Sequence, residues 1–103
     1  MKPYRIANRD AAVYVEHRIE FTGSNTSGRW GGARWGANTY SSLLPREHAA
    51  ELDRVLALGP VYVVKSYNTP VAWWSELDGW YVPPVKHSPT TSKHVTQMGL
   101  RSL

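Results

Sequence analysis

The sequence predicts a single α+β domain: a small antiparallel sheet of about four strands, packed with a central helix and a short C-terminal helix. Strand patterns occupy 13–21, 61–67, 71–75 and 80–82, and helical patterns occupy 45–57 and 90–98. Runs of neighbouring strands with helices kept apart from them are typical of this class. A chain of 103 residues fits one domain spanning 1–103.

The first strand is predicted at residues 13–21, where apolar and polar side chains alternate. One side of the alternation holds Val13, Val15, His17, Ile19 and Phe21, and the other holds Tyr14, Glu16, Arg18 and Glu20. A period of two residues is typical of a strand with one buried face. His17 falls on the apolar side, where we interpret it as a hydrogen-bonded histidine at the edge of the core.

A glycine-rich loop is predicted at residues 22–42, because five of the eight glycines lie there and no period of a strand or helix persists. A loop of this length is unusual in a small domain, so it is either functional or partly disordered. It contains a short repeat, Gly28-Arg29-Trp30-Gly31 followed by Ala33-Arg34-Trp35-Gly36.

A helix is predicted at 45–57, with Pro45 in its first turn and Gly59-Pro60 after its end. Its apolar stripe consists of Ala49, Leu52, Val55 and Leu56. The spacing of these residues places them on one face, which we expect to cover one face of the sheet. The C-terminal helix either joins it there or covers the opposite face.

Three strands follow, and Asp78-Gly79 predicts a hairpin turn between the last two. Pro70 marks a strand start, a bulge or an edge. Trp73 and Trp74 are neighbours in one strand and therefore point to opposite faces. The final helix is predicted over 90–98, with Thr90 or Thr91 as its cap, Val95 and Met98 buried, and Gly99 ending it.

Four short segments occur in a characteristic order. They are Glu20-Phe21-Thr22-Gly23-Ser24-Asn25, Tyr67-Asn68-Thr69-Pro70-Val71-Ala72-Trp73, Asp78-Gly79-Trp80 and Ser88-Pro89-Thr90-Thr91-Ser92-Lys93-His94. Together they resemble a family of small, uncharacterised proteins of actinobacteriophages, of the mycobacteriophage type, with a domain of unknown function. The resemblance covers 20–28 and 61–98, and the family usually has Tyr where this chain has His87. It implies a location in the host cytoplasm and no established activity.

Composition excludes several classes of function. The chain has no Cys, which excludes disulfides, thiolate metal sites and a cysteine nucleophile. No apolar run reaches the length of a membrane helix or resembles a signal peptide, so we expect a cytoplasmic protein without a membrane contact. The net charge of +4 and the isoelectric point near 9.6 permit, but do not require, a nucleic-acid partner.

Enzyme motifs are absent from the sequence, so we expect neither catalysis nor a cofactor. It contains no G-x-S-x-G, no phosphate-binding P-loop and no H-E-x-x-H. His48 and Glu51 occupy adjacent turns of the predicted helix, but two ligands on a solvated face are weak support for a metal. Ser92 and His94 do not face each other on a helix and do not form a triad.

Several residue types in this chain favour binding. The Arg-Trp repeat can be a single-strand nucleic-acid loop, a protein-binding loop, or a pair of rings folded onto the core. The Ser88–His94 segment can be an anion site beside a helix start or an ordinary helix cap. The candidate contact residues are Arg29, Trp30, Arg34, Trp35, Trp74, Lys86, Lys93 and His94.

The sequence therefore predicts a non-catalytic accessory phage protein. We expect it to bind a host or phage protein in the infected bacterial cytoplasm and to self-associate. The alternative is a nucleic-acid-binding protein that uses the Arg/Trp/Gly loop and basic residues.

Overall fold

The computed structural model describes residues 4–31, 45–67, 69–83 and 89–100, and the structural statements below concern these residues. The strands are β1 (Tyr4–Arg5), β2 (Phe21–Thr22), β3 (Thr26–Gly31), β4 (Val61–Ser66), β5 (Thr69–Ser75) and β6 (Gly79–Tyr81). The α-helices are α1 (Ala11–Glu16), α2 (Arg46–Leu58) and α3 (Pro89–Gln97). A short 3-10 turn at Asn8–Asp10 leads into α1.

The six strands form one sheet in which spatial order follows chain order, from β1 to β6. The β1–β2 pair is parallel and the other four pairs are antiparallel. The α+β class is therefore confirmed. The sheet is mixed and has six strands rather than about four. The two-residue strands β1 and β2 continue it at one edge.

Helices cover both faces of the sheet. On one face, which we call the α2 face, the apolar side of α2 packs against Val61, Val63 and Trp73. On the opposite face, the α1/α3 face, α1 and α3 pack against Tyr62, Val64 and Ala72, among others. Of the two arrangements left open, the C-terminal helix therefore takes the one opposite α2, and Trp73 and Trp74 point to opposite faces as predicted.

The predicted strand at 13–21 is wrong. Residues Ala11–Glu16 form α1, and only Phe21–Thr22 pairs within the sheet. Ala11 and Val15, four residues apart, are buried on one side of the helix, whereas Val13 is 60% exposed. A turn with Arg18 at φ 54° follows α1, and His17 is exposed rather than at the edge of the core. The alternation in the sequence thus arises from a helical segment joined by a turn to a strand.

The second half of the chain folds largely as predicted. Helix α2 buries the expected stripe and ends at Gly59. The register between β4 and β5 shifts at Val64/Lys65, opposite Pro70, so Pro70 marks a bulge. Helix α3 buries Val95, and Met98, directly after the helix, is buried too; Gly99 follows at φ +72°. It begins at Pro89, so Thr90 and Thr91 lie in its first turn rather than before it.

No helix in the described ranges is both long enough and apolar enough to cross a membrane.

Candidate functional site

A row of four aromatic rings crosses the α1/α3 face at one end of the sheet. Strand register places Trp30, Tyr62, Trp74 and Trp80 side by side on four consecutive strands. The centroids of Trp30 and Tyr62 are 5.5 Å apart, those of Trp30 and Trp74 5.9 Å, and those of Tyr62 and Trp80 6.2 Å. Tyr62 is fully buried, whereas the three tryptophans are half-buried. This aromatic row therefore presents ring surface at the edge of the core.

The turn after α1 holds the first ring of the row in place. The indole Nε1 of Trp30 donates to the carbonyl of Arg18 at 3.0 Å, and its backbone N–H donates to the Glu20 carboxylate at 2.9 Å. The guanidinium of Arg18 also lies 4.3 Å from the centroid of the Trp74 ring. A cation over an aromatic face is attracted to the ring's π electrons. One turn thus positions both Trp30 and Trp74.

Beside the aromatic row lies an apolar groove of about 440 Å³. Its lining includes Trp30 and Trp74, Leu58 at the end of α2, and Leu77 in the β5–β6 turn. The Gly59-Pro60 link between α2 and β4 also contributes. We call this feature the Trp groove. Its position follows from the chain path, because β3 ends, β4 begins and β5 ends at this side of the sheet.

The rim of the Trp groove exposes apolar side chains. Leu58 is 58% exposed and Leu77 is 70% exposed. Leu77 occupies a defined turn, in which the backbone N–H of Asp78 donates to the Ser75 hydroxyl at 3.1 Å and Gly79 takes φ 71°. A positive φ of this kind favours glycine. The turn therefore presents Leu77 outward in a fixed place.

An ion-pair network joins α2 to the same turn. The Arg54 guanidinium donates at 2.7 Å to Glu51, which lies three residues earlier on α2, and it also donates to Asp78. Hydrogen bonds to Glu51 and then to Asp78 raise the pKa of Arg54 above its usual value, so it is charged at any physiological pH. Exposed ion pairs of this kind contribute little stability. They link α2 to the β5–β6 turn, the two elements that carry Leu58 and Leu77.

The first copy of the Arg-Trp repeat lies in strand β3, so the predicted loop at 22–42 is wrong for residues 26–31. Neighbouring strand residues point to opposite faces. Trp30 enters the aromatic row, whereas Arg29 points to the α2 face and donates to the Thr22 hydroxyl at 2.8 Å. The second copy, with Arg34 and Trp35, and the candidate Lys86 lie outside the described residues.

Lys93 and His94 lie on α3. His94 packs where β4 ends, whereas the Trp groove lies where β4 begins. Lys93 is exposed. His94 is buried, with Nδ1 2.7 Å from the Ser66 hydroxyl at the end of β4 and its ring centroid 5.7 Å from that of Tyr67. Of the described contact candidates, only Trp30 and Trp74 come together in one place.

The interpretation of His48 as a residue on a solvated helix face is wrong. His48 is buried, and its Nδ1 lies 3.0 Å from the Tyr81 hydroxyl. Glu51 is engaged by Arg54. Within the described ranges, no group of three or more His, Asp and Glu side chains is arranged to hold a metal ion.

The residues that sequence reasoning missed are Leu58 and Leu77. Leu58 follows the predicted helix end at 57, and Leu77 is the single apolar residue within Ser75-Glu76-Leu77-Asp78-Gly79. An apolar residue inside an otherwise polar turn is the signal that identifies Leu77. Leu58 has no comparable signal, because a leucine at a helix end is usually buried.

Comparison with known proteins places the chain in one family. A family of unknown function (DUF8033) matches residues 5–101. No curated protein and no solved structure matches the chain. Because the match covers nearly the whole length, the chain belongs to this family of unknown function.

Proposed function

We propose that the protein is non-catalytic and acts by binding another protein through the Trp groove. The observation that carries this proposal is the groove's composition: two half-buried tryptophans and two exposed leucines, Leu58 and Leu77, line the same groove. Tryptophan is enriched among the residues that dominate binding energy in protein interfaces. Exposed apolar side chains gathered around a concave surface are a feature of interaction sites.

The occupant that we propose is an apolar or aromatic side chain that lies next to a Lys or Arg of the partner. The groove walls supply the apolar contacts. Glu76 also lines the groove, is exposed, and forms no ion pair among the described residues. Glu51 on α2 and Asp78 in the β5–β6 turn share the single guanidinium of Arg54, so carboxylates outnumber cations among these side chains and Glu76. Complementary charge at a rim mainly speeds association and selects partners.

The setting that we propose is an infected actinobacterial cell, with a host or phage protein as the partner. This setting comes from the resemblance of the four sequence segments to small actinobacteriophage proteins.

The test is a tagged pull-down from actinobacterial host lysate after nuclease treatment, read by mass spectrometry. Wild-type protein is compared with a Leu58→Ser/Leu77→Ser double variant and with Val13→Ser as a matched control. Val13 is as exposed as Leu58, at 60%, but lines no part of the Trp groove. All three proteins are first shown to be folded by circular dichroism, which is expected because the substituted side chains are exposed.

The proposal predicts one stoichiometric protein recovered by wild type and by Val13→Ser but lost with the double variant. Equal recovery by all three proteins would remove the Trp groove from the interaction. Recovery of nucleic acid alone, lost on nuclease treatment, would favour the nucleic-acid alternative. That alternative has lost one element of its basis, because Arg29 and Trp30 lie on opposite faces of the sheet.

A further inference from the structure

A second row of side chains crosses the α2 face. It lies at the opposite end of the strands from the aromatic row. Strand register pairs Arg5 with Thr22, Thr22 with Ser27, and Ser27 with Lys65. The four residues therefore lie side by side on four consecutive strands. We call them the basic row. Helix α2 packs farther along the sheet, against Val61, Val63 and Trp73.

Arg29 adds a third cation to this surface. It lies two residues after Ser27 in β3, on the same face, and its guanidinium donates to the Thr22 hydroxyl at 2.8 Å. Its Nε is buried and has no hydrogen-bond partner. A buried donor without an acceptor is costly, so an additional oxygen that accepts from this N–H would be favourable.

The positive charges are held close together. Burial and then the nearby charge of Arg29 lower the pKa of Lys65 below its usual value. Glu20 is the acidic residue nearest to Thr22 in sequence, and its carboxylate accepts from the Trp30 backbone N–H. The ion pairs found among the described residues involve Arg54 and His48, and none includes Arg5 or Arg29. This surface therefore carries excess positive charge.

A polar cavity of about 360 Å³ opens beside the basic row. Its lining includes Arg5, the backbone of Gly23, and the hydroxyl residues Thr22 and Ser24. The volume lies within the range of roughly 300–1,000 Å³ that is usual for small-ligand sites. Guanidinium and hydroxyl groups around one cavity supply several donors and no competing carboxylate.

We propose that this cavity binds a phosphate group, held by Arg5 with the hydroxyls of Thr22 and Ser24, and that Arg29, hydrogen-bonded to Thr22, adds its positive charge beside the cavity. The planar guanidinium matches the geometry of phosphate oxygens and makes strong, charge-assisted hydrogen bonds with them. The phosphate can belong to a small molecule or to a nucleic-acid backbone, which share this chemistry. The site lies at the opposite edge of the sheet from the Trp groove and is independent of the protein-binding proposal.

The test is an NMR titration of ¹⁵N-labelled protein in two arms, one with inorganic phosphate and one with a short single-stranded DNA. The signals followed are the backbone amides of Thr22, Gly23 and Ser24 and the side-chain Nε–H of Arg29. The variants are Arg5→Gln and Arg29→Gln, and Lys93→Gln is the matched control, an exposed cation on α3. Arg5 is exposed, so Arg5→Gln keeps the test valid even if Arg29→Gln unfolds.

We expect saturable shifts of these signals in wild type and Lys93→Gln, and affinity reduced about tenfold or more in Arg5→Gln, as for loss of a charge-assisted hydrogen bond. Shifts with inorganic phosphate identify a small-molecule site, and shifts with DNA alone identify a backbone site. The absence of saturable shifts in both arms would overturn the proposal. An affinity loss in Lys93→Gln as large as that in Arg5→Gln would overturn it too.

Discussion

Gly28 lies directly beneath the ring of Tyr62, in the space that a side chain would occupy. A Cβ at position 28 would lie 2.7 Å from Cζ of Tyr62 and 2.6 Å from Cε1 of Phe21. Both rings are fully buried. The Tyr62 hydroxyl continues past Gly28 and donates to the Ile19 carbonyl at 2.7 Å. Because position 28 has no side chain, Tyr62 on β4 can pass over β3 and bond to the turn after α1. That turn positions Trp30 and Trp74.

Gly28→Ala should destabilise the fold. Neither buried ring can move away without disturbing the core, and overpacking of this kind typically costs about 1–3 kcal/mol. The measurement is the thermal unfolding midpoint, followed by circular dichroism. Gly59→Ala is the control, because a Cβ there would meet nothing within 4 Å. An unfolding midpoint of Gly28→Ala equal to that of Gly59→Ala would contradict the packing described.

Stability should fall at alkaline pH because of Tyr62. Burial, and then the negative charge of Glu20, raise its pKa above the usual 10.0. The folded state therefore retains the phenol proton that the unfolded state loses. The stabilisation is complete below pH 10.0 and declines as pH rises beyond it.

The measurement for Tyr62 is urea unfolding at a series of pH values from neutral to above 10.0. Tyr62→Phe should be less stable at neutral pH, by about 1 kcal/mol for the lost hydrogen bond to Ile19. It should also show a shallower decline at alkaline pH than wild type. Parallel declines in the two proteins would show that Tyr62 is not the group responsible.

The contact between His48 and Tyr81 should stabilise α2 on the sheet. Their side-chain atoms lie 3.0 Å apart, and Tyr81 also stacks on Trp73 with centroids 5.0 Å apart. Tyr81→Phe keeps the stacking and removes the hydroxyl, so we expect a loss of about 0.5–1.5 kcal/mol. Chemical denaturation measures this difference. An unchanged free energy of unfolding would mean that the hydrogen bond makes no net contribution.

Self-association is the fourth prediction. Strands β1 and β6 are the outer strands of the sheet, so each has one side that pairs with no other described strand. Unpaired backbone groups at a sheet edge can pair with a second copy. Light scattering at micromolar concentration should therefore give a mass above 11.6 kDa. A mass equal to that of the monomer would contradict this part of the proposal.

Local periodicity was sufficient to predict α2 and the β4–β6 region. Helix α2 spans 13 residues with one buried stripe, and the turn at Asp78-Gly79 joins strands that are adjacent in sequence. It was insufficient for α1, because six residues contain fewer than two helical turns. Val13 and Val15 fit a strand pattern as well as a helical one. Only packing against α3 and the sheet decides between helix and strand.

The Trp groove could be predicted only in part, because it depends on distant pairing. Trp30 and Trp74 were both identified as contact candidates. Their meeting requires the β3–β4 and β4–β5 registers, which pair Trp30 with Tyr62 and Tyr62 with Trp74 and so bring together two residues 44 positions apart in sequence. The basic row has the same origin, since Arg5 and Lys65 are brought onto one face by three strand pairings. Such registers leave no local signal in the chain.

The measurement that tests the central claim most directly is an NMR titration of ¹⁵N-labelled protein with the partner recovered by pull-down, following the tryptophan indole N–H signals. Trp30 and Trp74 line the groove, whereas Trp73 is buried on the opposite face. Binding in the Trp groove predicts that the Trp30 and Trp74 signals shift and saturate with partner while the Trp73 signal stays in place. Saturable binding that leaves both the Trp30 and Trp74 signals unchanged would contradict the account.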